Sequence, residues 1–193
     1  MRLVAMTFIV LAVAIPVGFG SALWALKGEP PVGAVRVGPW KSWPGMGSQP
    51  IDPYARAIVA RSGALPLGSG EGHVFVADQD DSGAALVAGC TYSVSGDSPA
   101  ARMWTLTLTD LGGAAIADEQ GITHLTGAEV LRGADGRPTI TLSRAPVPGN
   151  WLRMPADGPV RLTLRLYDSP VSISSRTLEV KSLPSIQKVE CRQ

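Results

Sequence analysis

The chain has 193 residues, with 17 basic and 16 acidic side chains and a formal net charge of +1. So even a balance excludes an electrostatic nucleic-acid binder, which needs a marked positive excess. The 22 glycines and 16 prolines suit many turns between short strands.

Arg2 is followed by an apolar run from Leu3 to Leu26 that meets no charge until Lys27. As a helix this run would rise about 36 Å, enough to cross a hydrocarbon core of about 30 Å. Pro16, Gly18 and Gly20 are tolerated inside such a helix, and Trp24 suits the outer interface. Two readings stay open. One is an uncleaved anchor, which the length favours. The other is a cleaved signal peptide, with Leu3 to Ile15 as its core and Gly20-Ser21-Ala22 as its cleavage site. Both place the rest of the chain across the membrane. The expected division is an anchor over 1–27, a Gly/Pro/Trp-rich linker over 28–50 that is partly packed, and a folded domain over 51–193.

In the linker, Gly38-Pro39-Trp40 and Trp43-Pro44-Gly45 forbid regular helix. Val35 to Trp43 is expected to lie along the domain as an edge strand or a packed extended segment. Asp52-Pro53 opens a helix, with Asp52 as N-cap and Pro53 at the first helical position. Tyr54, Ala55, Ile58 and Val59 form its apolar stripe, with Tyr54 as a core anchor and Gly63 as the stop. This short helix is expected to cap the sheet.

Strands follow. His73 to Val76 is the first. Asp78, Asp80 and Asp81 come next. They could offer oxygen ligands to calcium, but no Glu stands twelve residues after Asp78, so the run reads as a solvated hairpin turn. Leu86, Ala88, Cys90, Tyr92 and Val94 share one parity and should be buried together. Trp104, Leu106 and Leu108 share a face of the next strand. Ile122 to Thr126 and Glu129 to Arg132 are short candidates. Asp135-Gly136 signals a tight turn into Thr139 to Ser143. Trp151 and Leu152, reached through a turn, should close one end of the core. From Val160 to Leu166 every second residue is apolar, with Arg161, Thr163 and Arg165 between. That is the pattern of a strand with one dry face, here read as a central antiparallel strand. Val171 to Ser175 reads either as a strand or as irregular chain, and Gln187 to Cys191 completes the series. The fold class expected is mainly β, an antiparallel, jelly-roll-like β-sandwich with one short capping helix behind an N-terminal transmembrane helix.

Chemistry is sparse. No Gly-x-Ser-x-Gly elbow, P-loop, dinucleotide fingerprint or His-Glu-x-x-His occurs. His124 with Asp118 and Glu119 makes no metal constellation, and no catalytic residue, metal or cofactor is assigned. Cys90 and Cys191 form no redox or metal motif by spacing. Beyond the membrane disulfides persist, and both cysteines fall on strands, so they are expected to form a disulfide.

Gly38-Pro39-Trp40, Asp52-Pro53-Tyr54, Cys90-x-Tyr92, Arg102 to Thr107, Asp135-Gly136, Gly149-Asn150-Trp151-Leu152, Leu164-Arg165-Leu166-Tyr167 and Leu183-Pro184-Ser185-Ile186 together resemble a bacterial family known as domain of unknown function 1214 (DUF1214). Similar sequences usually read Asn-Trp-Leu-Pro, whereas here Arg153 and Met154 precede Pro155. The resemblance implies a β-sandwich in a short anchored form. It also implies a separate partner carrying a companion domain, DUF1254, which longer relatives hold in the same chain. The setting so implied is a single-pass protein of the bacterial inner membrane with its C-terminal domain in the periplasm. It brings no ligand or reaction. Two functions compete: a non-enzymatic module that docks to a partner, and an enzyme or small-molecule binder with an aromatic pocket. Trp40, Trp43, Tyr92, His124 and Trp151 are the candidate ligand-binding residues for the second.

Overall fold

The computed structural model describes residues 2–26, 29–30, 33–48, 51–62, 66–68, 70–97, 100–116, 122–169 and 183–191. Helix α1 spans Arg2–Ala25, and helix α2 spans Pro53–Ser62. Ten strands follow the order β1 Val35–Val37, β2 Trp40–Ser42, β3 Gly72–Ala77, β4 Cys90–Ser95, β5 Met103–Thr109, β6 His124–Thr126, β7 Thr139–Ser143, β8 Asn150–Arg153, β9 Arg161–Tyr167 and β10 Ser185–Cys191. They build a six-stranded sheet, β1-β2-β3-β9-β5-β6, and a four-stranded sheet, β10-β4-β7-β8. The segment from Val171 to Ser175, the helix stop at Gly63, and Asp118 and Glu119 lie outside the described residues.

Helix α1 carries no charge after Arg2, and none of its residues is buried against the rest of the chain. It is long and apolar enough to cross a membrane, and a signal sequence meets the same test. The short helix α2 begins as its caps dictate: the Asp52 carboxylate accepts from the Ala55 N–H at 3.0 Å. Its buried face is centred on Ala55, one helical step away from Tyr54, which is 51% exposed and is not a core anchor. A step of one residue turns the side chain about 100° around the axis, out of the narrow apolar stripe.

The core lies between the sheets. From the six-stranded sheet it receives Trp40, Phe75, Leu106, Leu108, Leu162, Leu164 and Leu166. From the other it receives Tyr92, Val94, Ile140, Leu142, Leu152 and Ile186. Strand β9 is central, paired antiparallel on one side with β3 (Phe75↔Leu164) and on the other with β5 (Leu106↔Leu164). Its alternation, read directly from the sequence, therefore faces the other sheet. The apolar set from Leu86 to Val94 is likewise buried as one, although only its second half lies in β4.

The expected edge strand over Val35 to Trp43 is found as a hairpin: β1 and β2 extend the six-stranded sheet at its edge, so residues 35–42 are part of the sandwich. Two segments differ from expectation. Glu129 to Arg132 is not a strand: the Glu129 carboxylate turns back to accept from the Thr126 N–H at 3.0 Å and hydroxyl at 2.9 Å. Asn150 to Arg153, expected as a turn followed by a core plug, is strand β8, and it runs parallel to β7. Parallel neighbours usually need a long crossover. Here only four residues pair, a length of about 13 Å that the connection between β7 and β8 can retrace.

Candidate functional site

The most specific sequence motif, Gly149-Asn150-Trp151-Leu152, turns out to be a device for starting β8. Gly149 adopts φ 94°, a left-handed turn conformation that glycine reaches without steric cost. The Asn150 side chain then imitates a strand partner. Its Oδ1 accepts from the Leu131 N–H at 2.7 Å, while its Nδ2 donates to the carbonyls of Leu131 at 2.7 Å and Thr139 at 3.0 Å. The Trp151 ring N–H donates to the Ser143 carbonyl at 3.0 Å and hydroxyl at 3.1 Å, and Leu152 points into the core. Asn150→Ala removes three side-chain hydrogen bonds, so it should cost about 1–3 kcal/mol. A urea denaturation midpoint equal to that of the parent would show that this side chain does not hold Leu131.

The remaining aromatic candidates are placed in three regions rather than one. Trp40 is fully buried and its ring N–H donates to the Pro184 carbonyl at 2.7 Å, stitching β2 to the chain entering β10. Trp43 donates to the Pro30 carbonyl at 3.2 Å. Tyr92 belongs to the other sheet. Its hydroxyl accepts from the Val87 N–H at 3.0 Å and donates to the Ala85 carbonyl at 3.4 Å, and burial pushes its pKa up. His124 is exposed on β6, at the far edge of the six-stranded sheet from β2. Three strands separate β2 from β6, a distance of roughly 19 Å at the usual strand spacing. The one cavity described is about 20 Å³, lies between the sheets, and is lined by apolar side chains including Val94, Trp104, Ile140 and Leu164. It has room for about one water, whereas ligand pockets hold several hundred Å³.

Cys90 and Cys191 are register partners across β4 and β10. Their sulfurs are at disulfide distance, 1.98 Å, with Cα atoms 3.9 Å apart. The Cα separation is shorter than the common disulfide range of about 4.4–6.8 Å, and shorter than the roughly 4.5 Å of closely opposed antiparallel residues.

The acidic stretch that reads as a solvated turn is bonded into the fold instead. Asp80 is buried, and its Oδ1 accepts from the Ser82 N–H at 2.9 Å, the Ser82 hydroxyl at 2.5 Å and the Ala84 N–H at 3.1 Å. Burial works against its charge, but these bonds outweigh it and hold its carboxyl below the usual aspartate range. Asp81 accepts from the Ser185 hydroxyl and from the Ile186 N–H, clamping the start of β10. Among the described residues no group of three His, Cys, Asp or Glu side chains is arranged for a metal.

Asp78 belongs to a largely shielded cluster of two acids and two bases. Lys41 Nζ lies 3.3 Å from Glu29 and 3.1 Å from Asp78. Arg161 donates to Glu29 at 3.1 Å and to Asp78 at 3.3 Å. Lys41 comes from β2 and Arg161 from β9, Asp78 follows β3, and Glu29 comes from the segment after α1. The opposed charges neutralise one another, which is what removal from water demands. Burial raises the Asp78 pKa, but the hydrogen bond and charge of Lys41, with those of Arg161, outweigh it and the net shift is downward from 3.8. A carboxyl lowered in the folded state contributes stability that is fully present above its unfolded pKa. That stability is lost as pH falls through the folded value. The stability difference between the parent and Asp78→Asn should therefore be largest at neutral pH and shrink below about pH 4. A gap that stayed constant down to pH 2 would contradict the role given to Asp78.

A family model described as "Protein of unknown function (DUF1214)" matches residues 71–171. The fold is similar to the crystal structure of the VPA0106 protein from Vibrio parahaemolyticus. The match has a TM-score of 0.58 at 19% identity and covers 71% of this chain and 35% of that one. An uncharacterised protein from Burkholderia cenocepacia aligns with a TM-score of 0.46 at 20% identity, over 66% of this chain and 32% of its own. This chain thus spans about a third of the length of the solved structures it matches. No curated protein matches it.

Proposed function

The chain belongs to the DUF1214 family, and from that premise we propose that it is a membrane-anchored, non-enzymatic module of the bacterial envelope. In this reading α1 stays in the inner membrane as a single span and the sandwich stands in the periplasm. There it docks to a separate protein carrying the companion domain, DUF1254.

The observation that carries the proposal is one of proportion. The same fold accounts for only 35% of the Vibrio parahaemolyticus chain, whereas here it stands behind an apolar 24-residue helix. A sandwich that elsewhere shares its chain with more protein is suited to meeting that protein in trans. The polar atoms of Trp40, Tyr92 and Trp151 add support, because they are used up in bonds to the chain's own backbone. They serve packing rather than a ligand. Over 28–193 the two parts are divided earlier than expected: a short stem around Glu29, and a sandwich that begins at β1.

The test is recovery of the full-length protein from membranes in mild detergent, with identification of what accompanies it. A DUF1254-bearing protein in comparable amount is expected. Recovery of the chain alone, from membranes that contain such a protein, would contradict the docking role.

A further inference from the structure

We infer that one end of the six-stranded sheet rests on the lipid surface, with Leu111 and Ile122 touching the bilayer interface. This inference depends on α1 being retained as an anchor. Strand register defines the end concerned. Val37 pairs with Trp40, Ala77 with Leu162, Thr109 with Arg161 and Thr107 with His124. The turn at Gly38-Pro39, the Asp78–Arg161 pair, the turn from Asp110 to Gly113, and Ile122 therefore all lie at the same end of the sheet. The ion cluster is there too.

The stem ties the anchor to this end. Glu29 contacts Lys41 and Arg161, and the next residue, Pro30, accepts from Trp43. Along β2, Trp43 is farther from this end than Lys41. From Glu29 to Pro30 the stem thus runs away from the ion cluster. Helix α1 ends at Ala25, and the next described residue, Leu26, still donates to the Ala22 carbonyl at 3.1 Å. The three steps from Leu26 to Glu29 reach at most about 11 Å. The polar layer of a bilayer is itself about 5–8 Å thick on each side. The cluster is thereby held within reach of the headgroups.

This end also exposes apolar side chains that folding leaves unburied. Leu111, at the tip of the turn after β5, is 45% exposed, and Ile122, before β6, is 51% exposed. Each sits on a rigid support: the turn is closed by the Gly113 N–H donating to the Asp110 carbonyl at 3.1 Å, and the Ile122 carbonyl accepts from the Arg153 N–H at 2.8 Å. Apolar side chains presented to the headgroup boundary gain from entering it. Met103, 47% exposed, starts β5 at the opposite end and serves as an internal control.

The experiment uses the full-length protein in vesicles of phosphatidylcholine and phosphatidylglycerol, with p-benzoylphenylalanine incorporated in place of Leu111, Ile122 or Met103. Only protein that resists carbonate extraction is irradiated and scored. Lipid adducts are expected at 111 and 122 in several-fold higher yield than at 103. Equal yields at the three positions, or a higher yield at 103, would overturn the inference while leaving the anchor intact. Extraction of the protein by carbonate would overturn the anchor and the inference together.

Discussion

Leu164→Ala is expected to cost about 2–5 kcal/mol of folding stability, in the upper half of that range. Leu164 sits at the middle of β9 with Phe75 on one side and Leu106 on the other, both fixed by ladder pairing. It also lines the small cavity between the sheets. Truncation joins its lost volume to a void that already exists, and strands pinned on both sides have little freedom to collapse into it. The cost of a core truncation grows with the space left behind. Leu162→Ala and Leu166→Ala, on the same buried face, should behave alike. Urea denaturation measures the effect, and a midpoint equal to that of the parent would mean that β9 does not turn this face inward.

The second large effect concerns Cys90 and Cys191, which we propose are joined in the protein as it stands beyond the membrane. The bond would close a loop with a sequence separation of 101. Chain-entropy estimates for a loop of that size give about 4–5 kcal/mol. The bond would fasten β10, whose start carries Ile186 into the core and whose approach carries the Pro184 carbonyl that accepts from Trp40. Cys191 is exposed, so a thiol reductant reaches the pair without unfolding. Reduction should lower the unfolding midpoint to that of Cys90→Ala/Cys191→Ala. Thiol labelling of the unfolded, unreduced monomer should find none, and two after reduction. Two thiols before reduction would refute the bond.

How far the fold was legible depends on how local each signal was. The alternation from Val160 to Leu166 encodes its own facing and located the central strand. The parity of Leu86 to Val94 predicted burial even where no strand forms: Leu86 and Ala88 are covered although a turn from Val87 to Cys90 precedes β4. Asp52-Pro53 started α2 where capping chemistry places it. Non-local features were not legible. The parallel pairing of β7 and β8 leaves no mark in either strand. Asn150 reads as a turn residue because its strand-like partner, Leu131, is remote in sequence. The ion cluster joins residues as far apart as Glu29 and Arg161, and each charge taken alone looks like a solvated surface group. The same holds for Asp78 and Asp81, whose partners Lys41, Arg161, Ser185 and Ile186 come from other elements. The aromatic candidates were visible as residue types. The bonds that Trp40, Trp43, Tyr92 and Trp151 make to backbone carbonyls appear only in three dimensions.

The account rests on α1 remaining attached. Its length favours an anchor although a signal sequence passes the same test, and the Glu29 cluster fastens the stem that follows it to the sandwich. Amino-terminal sequencing of the protein recovered from salt-washed membranes tests this most directly. The account predicts a chain that begins at Met1 or Arg2. A chain beginning near Leu23 would contradict it.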